Sequence, residues 1–421
     1  MYRKTVLDNG VRIVSERLDH FRSVSLGIWV SAGSRDEMVD ENGISHFIEH
    51  MIFKGTRTRN SLQIAKDLDA VGGLSNAFTG TEHTCFHSKV LDKHLLLLAD
   101  ILSDIFLNSI FDSHEMQRER QVILQEISLL EDTPDEHIHV LLNRLFWMNH
   151  PLGMPILGTP DTVSAIRKES ILDYIERFYT PERILVAAAG NVDHDALVGH
   201  FGPLLERLQP THDDPPRNAP QGHAGVSCHY KDLEQVHVCL GGKGPHMSSD
   251  LRYAAGVLNT ILGGNMSSRL FQEIREKRGL AYSVYSFISA YVDAGLSGVC
   301  LGTDPRQINR ALKVIQREIK KIQKGGISKS DLAATQEHLI GGILLNAENT
   351  DTRMIRLAKN EYVFGRYISY EELVADLEKV TVDEVVAVAR NAFESDQISL
   401  VTLGPVRKED LDLSCIQFSD R

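Results

Sequence analysis

The sequence contains no apolar run approaching the roughly 20 residues that a helix needs to cross a bilayer. Its opening stretch, MYRKTVLDNGVRIVSERLDH, carries charge throughout and so lacks the apolar core of a secretory signal. The same stretch contains acidic residues, which mitochondrial transit peptides largely avoid. We therefore expect a soluble, cytoplasmic protein that does not associate with a membrane.

Basic residues are in short supply. The chain has 45 Lys and Arg against 57 Asp and Glu, a formal net charge of −12. Because nucleic-acid binding depends on clustered basic side chains, this balance argues against nucleic acid as the main partner. An acidic protein suits cationic partners such as basic peptides, but many proteins are acidic for solubility alone. Composition leaves both interpretations open.

Cysteine is also scarce and follows no pattern. The five residues, Cys85, Cys228, Cys239, Cys300 and Cys415, include no C-x-x-C spacing. An odd number of scattered cysteines predicts reduced thiols rather than a disulfide framework. The remaining composition is that of an ordinary globular protein, with 42% hydrophobic and 24% charged residues. A length of 421 residues exceeds what one core usually supports and predicts at least two domains.

A proline-rich stretch divides the chain almost in half. Residues 209–225, QPTHDDPPRNAPQGHAG, show no periodic apolar pattern and are typical of a linker. Residues 166–197 and 379–411, one on each side, share one plan: a helix ending near an aromatic residue, an apolar strand, a glycine and a new helix start. We therefore predict two homologous domains, residues 1–208 and 226–421.

Strand patterns alternate with longer helical patterns within each half. Residues 24–34 predict a strand, and residues 73–90 predict another with a period of two. Helical patterns cover residues 42–54, 60–71, 91–107 and 113–131. This order predicts an α+β fold in which helices pack on one side of a largely antiparallel sheet.

The segment GISHFIEHMIFKGT, residues 43–56, holds two histidines four residues apart. On a helix, His46 and His50 lie on one face and Glu49 points into the same space. This is the H-x-x-E-H pattern of the inverted zincins, which needs two neutral imidazoles as ligands and a carboxylate left free. The alternative is an amphipathic helix with solvated polar residues. Apolar residues on nearly every face predict a buried helix instead, in which imidazoles need a partner or a metal.

A catalytic zinc site requires a third protein ligand. The helical stretch at residues 113–136, with Ser113 as its expected N-cap, supplies a candidate in Glu126. Apolar residues occupy the i±3 and i±4 positions around Glu126, where a carboxylate is costly unless it coordinates something. Glu119 lies two helical turns earlier on nearly the same face, a position suited to hydrogen-bonding a ligating histidine.

The stretch HFIEHMIFKGT, followed by Glu126 within ERQVILQEI, resembles the pitrilysin/insulinase family of zinc peptidases. The likeness is nearest to the catalytic subunit of mitochondrial processing peptidase and its single-chain bacterial relatives. It extends over essentially the whole chain, from LDNGVRIVSE to IREKRGLAYSV and beyond. It implies one Zn²⁺ per chain, held by His46, His50 and Glu126. Glu49 would then be the general base, and Glu119 the supporting carboxylate.

The resemblance also implies substrate contacts. In that family a strand edge beside the zinc pairs with an extended peptide, and GLSNAFTGTEH resembles it, so we expect Asn76 and Ala77 to contact substrate. Arg275 and Tyr282 match positions where family members place an Arg and a Tyr against the substrate near zinc. Either side chain could stabilise a developing oxyanion. By their residue types alone, these positions would be an ordinary strand, a surface arginine and a core tyrosine.

Other metal-like residues receive a structural interpretation. His83, Cys85 and His87 alternate along one predicted strand and share a face, but the family likeness places the metal elsewhere. The second half of the chain lacks another H-x-x-E-H, so we expect it to be non-catalytic.

Together these features predict a zinc endopeptidase that hydrolyses unfolded or extended peptides. The resemblance implies that the two halves close as a clamshell around a chamber. It also implies pairing with a second subunit, as a homodimer or as a heterodimer with a paralogue. The alternative within the family is a non-catalytic structural or partner subunit, although such subunits have lost zinc ligands. An unrelated structural zinc protein would have no need of Glu49.

Overall fold

The computed structural model describes residues 1–210 and 216–418, so the predicted linker at 209–225 lies partly outside the described residues. The strands, in chain order, are β1 (Tyr2–Val6), β2 (Arg12–Arg17), β3 (Ser23–Val30), β4 (Leu74–Thr79), β5 (Thr84–Leu91), β6 (Ile184–Gly190), β7 (Gly225–Tyr230), β8 (Val236–Lys243), β9 (Ala281–Ala290), β10 (Gly295–Thr303) and β11 (Ser399–Gly404).

The α-helices follow the same order. They are α1 (Ile44–Met51), α2 (Ser61–Ala70), α3 (Leu95–Asn108), α4 (Ser113–Glu131), α5 (Pro134–Phe146), α6 (Pro160–Ala165), α7 (Lys168–Phe178), α8 (His194–Leu205), α9 (Arg252–Asn259), α10 (Ile308–Gln323), α11 (Lys329–Asn346), α12 (Thr350–Phe364), α13 (Tyr370–Glu378) and α14 (Val382–Ala392). The first four correspond to the four predicted helices. No helix in the described part of the chain combines the length and apolar character that a membrane span requires.

The described residues form two sheets. The first has the order β1-β2-β6-β3-β5-β4, and the second has the order β7-β11-β8-β10-β9. Only β2–β6 and β7–β11 pair in parallel, whereas the other neighbouring strands are antiparallel. The prediction of largely antiparallel sheets in an α+β fold is confirmed.

The predicted internal repeat is visible in the strand order. The last five strands of the first sheet have the order β2-β6-β3-β5-β4. If β2 to β6 are matched in chain order with β7 to β11, this order becomes β7-β11-β8-β10-β9, which is the order of the second sheet. Gly190 and Gly404 end the equivalent strands β6 and β11, with φ angles of 128° and 144°. Both angles lie where a side chain is strained, which explains a glycine at the same point of each half. The two halves of the chain therefore share one strand order.

Two compact units do not coincide with the two halves of the sequence. The first unit comprises Met1–Ser128, Met154–Arg217 and Leu345–Tyr367. The second comprises Leu129–Gly153, Asn218–Leu344 and the residues from Ile368 onward. Helix α5 of the first half thus belongs to the second unit, and α12 of the second half belongs to the first. The two units differ from the predicted domains 1–208 and 226–421 by the placement of these helices, and the domain bounds stay a prediction.

Helices cover both faces of the first unit's sheet. Val186 and Ala188 of β6 face a core shared with α1, α3, α4, α7 and α8. Leu185, Ala187 and Ala189 face the opposite way and pack with α12. The prediction of helices on one side was wrong, because β6, ILVAAAG, is an unbroken apolar run, which is typical of a strand buried on both faces.

The second unit repeats this arrangement with α5, whose apolar residues pack on strands β8, β10 and β11. Within that cluster Cys239 and Cys300 face each other across β8 and β10 and form a disulfide, with Cα atoms 4.3 Å apart. The prediction of reduced thiols was therefore wrong for these two residues. Their separation of 61 residues gives no signal without the strand register. Cys85, Cys228 and Cys415 are free.

Candidate metal centre

Helix α1 carries the H-x-x-E-H motif and is anchored at its beginning. The Glu37 carboxylate accepts hydrogen bonds from the backbone amides of Gly43 (2.8 Å) and Ser45 (2.9 Å). It therefore satisfies donors that a helix start leaves unpaired. Burial raises the pKa of Glu37 to about 7 despite these hydrogen bonds. Phe47 and Ile48 are fully buried, which orients the helix and confirms that it lies in the core.

Helix α4 supplies the two acidic residues. The Asp112 side chain accepts hydrogen bonds from the backbone amides of His114 (2.9 Å) and Glu115 (3.1 Å), so Asp112 is the N-cap of the helix. The prediction of Ser113 as N-cap was off by one residue. The Arg120 guanidinium donates to two backbone carbonyls near α6, those of Val163 and Ile166. These bonds fix the middle of α4, where Glu119 and Glu126 lie.

Three predicted ligands converge at one point. Glu126 Oε2 lies 3.4 Å from His50 Nε2 and 3.7 Å from His46 Nε2. The three candidate ligand atoms all lie within 4.8 Å of one another. Tetrahedral zinc, with ligand bonds of about 2.0–2.2 Å, places neighbouring ligand atoms about 3.3 Å apart. The arrangement therefore fits a single zinc ion.

The environment of Glu126 differs from the buried apolar stripe that the sequence predicts. Its side chain is 38% exposed, and Val122, one turn earlier, is 40% exposed. Only Ile123 and Ile127 are buried close to it on α4. The apolar neighbours in sequence therefore do not form a buried stripe around Glu126. Its convergence with the two imidazoles, rather than the cost of burial, identifies this carboxylate as a candidate metal ligand.

Glu119 orients one of the histidines. Its Oε2 lies 3.1 Å from His50 Nδ1, and its Oε1 lies 2.7 Å from the Lys54 ammonium. A carboxylate oxygen accepts this hydrogen bond, so Nδ1 is the donor and Nε2 of His50 keeps its lone pair for a metal. The buried Nδ1 of His46 has no hydrogen-bonding partner among the described residues.

The ionisation states suit metal binding. Burial, assisted by the neighbouring His50, lowers the pKa of His46 to about 4, so this imidazole is neutral near pH 7 as ligation requires. Glu49 is not among the three converging ligands. Burial raises the pKa of its carboxyl, while a hydrogen bond from the Thr79 hydroxyl opposes the shift. That hydroxyl donates to Glu49 Oε2 at 2.6 Å.

The predicted substrate strand is an edge strand. Residues 73–90 form two strands, β4 and β5, with a turn at 80–83, rather than the single predicted strand. β4 is the last strand of its sheet among the described residues, so one edge is open to pairing. Asn76 and Ala77 lie in β4 opposite His87 and Phe86. Their contact with substrate stays a prediction.

Arg275 and Tyr282 lie in the second unit. The Arg275 guanidinium lies 4.5 Å from the centre of the Tyr282 ring. Tyr282 is the second residue of β9. Tyr282 is 77% exposed, so the alternative of a core tyrosine is excluded. Their role toward substrate stays a prediction.

The other metal-like residues are not gathered as ligands. Among the described residues, the groups able to hold a metal are the α1–α4 site and a second set formed by His139 with Cys239 and Cys300. Two members of the second set are joined as a disulfide. His83, Cys85 and His87 belong to neither group.

Three residues that support this centre were not predicted from the sequence. Lys54 lies four residues after His50, a helical spacing that could have drawn attention to it. Thr79 is the polar end of an otherwise ordinary strand, and Glu37 lies in a loop before α1. Local sequence patterns do not show which distant side chain a residue will contact, so neither Thr79 nor Glu37 gave a usable signal.

Comparison with known proteins identifies the family of this chain. The family model described as insulinase (peptidase family M16) matches residues 12–160, and that of the peptidase M16 inactive domain matches residues 165–339. The uncharacterized zinc protease YmxG of Bacillus subtilis is 39% identical over 396 residues, covering 94% of this chain and 97% of that protein. The chain belongs to peptidase family M16.

Solved structures share the M16 fold. A protease from Helicobacter pylori has a TM-score of 0.89 at 22% identity, covering 96% of this chain and 99% of that one. A peptidase M16 inactive domain from Pseudomonas fluorescens has the same TM-score at 18% identity, with 96% and 98% covered. In this M16 chain, the matched peptidase model includes the whole α1–α4 site, and the inactive-domain model begins after it.

Proposed function

We propose that this chain is a zinc-dependent endopeptidase acting on unfolded or extended peptides. The observation that carries the proposal is the convergence of His46, His50 and Glu126, with Glu49 beside them but outside the ligand set. A purely structural zinc site would need no such carboxylate. The names of curated zinc proteases in the family support the same chemistry.

Zinc held by the two Nε2 atoms and Glu126 would supply Lewis-acid polarisation of a peptide carbonyl and activation of a water molecule. Glu49 takes a proton from the attacking water at Oε1, the oxygen that does not accept the Thr79 hydroxyl. The water oxygen bonds to the carbonyl carbon. As the C–N bond breaks, Glu49 returns the proton to the amine nitrogen. One water is consumed for each peptide bond cleaved.

We also propose how the peptide is held. The open edge of β4 offers main-chain hydrogen bonds to an extended segment, with contacts from Asn76 and Ala77. Arg275 and Tyr282 are proposed to act on the scissile carbonyl, on the basis of the family resemblance. We propose the enclosing chamber and the dimeric state, with either a second copy or a paralogue, on the same basis. A cytoplasmic location is proposed from the sequence features alone.

Glu49→Gln tests the proposal. The variant should retain zinc, measured by mass spectrometry of metal content, and lose cleavage of a quenched, unstructured peptide. His46→Ala should lose both. Glu115→Gln is a matched control, because Glu115 lies on α4 and pairs with the exposed Arg118 instead of the metal centre. Full turnover by Glu49→Gln would rule out the general-base role.

The alternative is a non-catalytic M16 subunit. It predicts that the wild-type chain leaves every member of a random peptide library uncleaved, whether or not it binds zinc. The retained ligands and Glu49 favour the peptidase.

A further inference from the structure

Strand β4 ends at Thr79, beside the candidate general base. The Thr79 hydroxyl lies 2.6 Å from Glu49 Oε2, a length typical of a charge-assisted hydrogen bond. The backbone carbonyl of Ser45 lies farther from the same hydroxyl, at 3.5 Å. A hydroxyl has one proton to donate, and the shorter distance assigns it to the carboxylate.

This hydrogen bond, together with one from the Thr79 backbone, restrains a flexible side chain. A glutamate carboxylate rotates about three side-chain bonds, and α1 fixes only its Cα. Among the described residues, Thr79 is the side chain that hydrogen-bonds Glu49. The ligands are held by a different contact, since Glu119 orients His50. The base and the metal ligands therefore depend on separate supports.

Thr79 also belongs to the strand proposed to bind substrate. It lies two residues after Ala77, and residues two apart share one face of a strand. A peptide that pairs with the open edge of β4 would order the strand that carries the hydroxyl. Binding of the peptide and alignment of the base would then be coupled through one element.

We propose that Thr79 is a positioning residue for Glu49. Its hydroxyl holds Oε2 and so presents Oε1 to the attacking water, which makes turnover depend on this hydroxyl while zinc binding does not. The inference rests on the proposed peptidase function. If the hydroxyl merely satisfied a half-buried carboxylate, its removal would lower stability without a selective effect on turnover.

Thr79→Val and Thr79→Ser separate these cases. Valine keeps the shape and the strand propensity but cannot donate, so kcat should fall about 10- to 100-fold, the size of effect expected from a misaligned catalytic group. KM and zinc content should stay within about twofold of wild type. Serine keeps the hydroxyl and should restore most of kcat. Thr79→Ala, with the same expected loss, replaces valine if that variant does not fold.

The control is Thr84→Val. Thr84 lies directly opposite Thr79 on β5, and its hydroxyl donates to the Ala32 carbonyl (2.9 Å) instead of Glu49. It should lower stability and leave kcat unchanged. A Thr79→Val enzyme with wild-type kcat, or one whose loss is matched by Thr84→Val, would overturn the inference while wild-type cleavage still supports the peptidase. Unimpaired Glu49→Gln would instead overturn the proposed function.

Discussion

Glu119→Gln should weaken zinc binding about 10- to 100-fold, because the residue that orients a metal-ligating histidine normally contributes that much. The carboxylate, only 8% exposed, accepts from His50 Nδ1 at 3.1 Å and from Lys54 at 2.7 Å. A glutamine has one acceptor oxygen, so it can satisfy one donor while its amide N–H faces the other. The expected loss corresponds to about 1.4–2.7 kcal/mol.

A chelator competition titration near neutral pH measures this loss directly. Glu115→Gln makes the same change on the same helix, away from the metal centre, and should bind zinc with wild-type affinity. Thermal unfolding of both zinc-free variants shows whether the fold is retained. Wild-type zinc affinity in a folded Glu119→Gln variant would refute the idea that this carboxylate prepares His50 for the metal.

Two further predictions concern stability. Burial lowers the pKa of His83 to about 3, below the value of about 6.5 in an unfolded chain, so the unfolded state binds the extra proton between these values. The zinc-free protein should therefore lose stability as the pH falls below about 6.5, by up to about 1.4 kcal/mol per pH unit from this residue. His83→Phe, which can keep the stack on Tyr362, should flatten urea-unfolding stability against pH, and an unchanged slope would contradict this assignment. Met354 of α12 is fully buried, and its sulfur accepts a hydrogen bond from the Trp29 indole (3.3 Å). Met354→Ala should therefore lower the free energy of unfolding by about 2–5 kcal/mol. Met354→Leu should cost less than about 1.5 kcal/mol, and equal stability of wild type and Met354→Ala would argue against α12 packing on this sheet.

The sequence predicted the metal centre more fully than the fold around it. Helical spacing places His46 and His50 on one face whatever the tertiary structure, and the family resemblance supplied the distant Glu126. The physical reason offered for Glu126 was nevertheless wrong, since its neighbour Val122 is exposed. A helical pattern shows which positions are apolar, but it does not show which surface will cover them.

The exchange of α5 and α12 has the same explanation. Each helix packs an apolar face on one sheet, and nothing local in the sequence specifies which sheet that face covers. The disulfide was missed for a related reason. Cys239 and Cys300 become neighbours only through the register of β8 and β10. Long-range pairing, rather than local propensity, is what the sequence left undetermined.

Separate contacts hold the candidate zinc ligands and the candidate general base. Glu119 of α4 contacts the candidate ligand His50, whereas Thr79 of β4 contacts the candidate base Glu49, and the two contacts share no residue. A chain that lost the Thr79 contact could still bind zinc, and a chain that lost Glu119 could still orient Glu49. Zinc content therefore cannot by itself distinguish an M16 peptidase from a relative that binds zinc without cleaving peptides. Turnover and zinc affinity have to be measured on the same variants, because each reports on a different set of contacts.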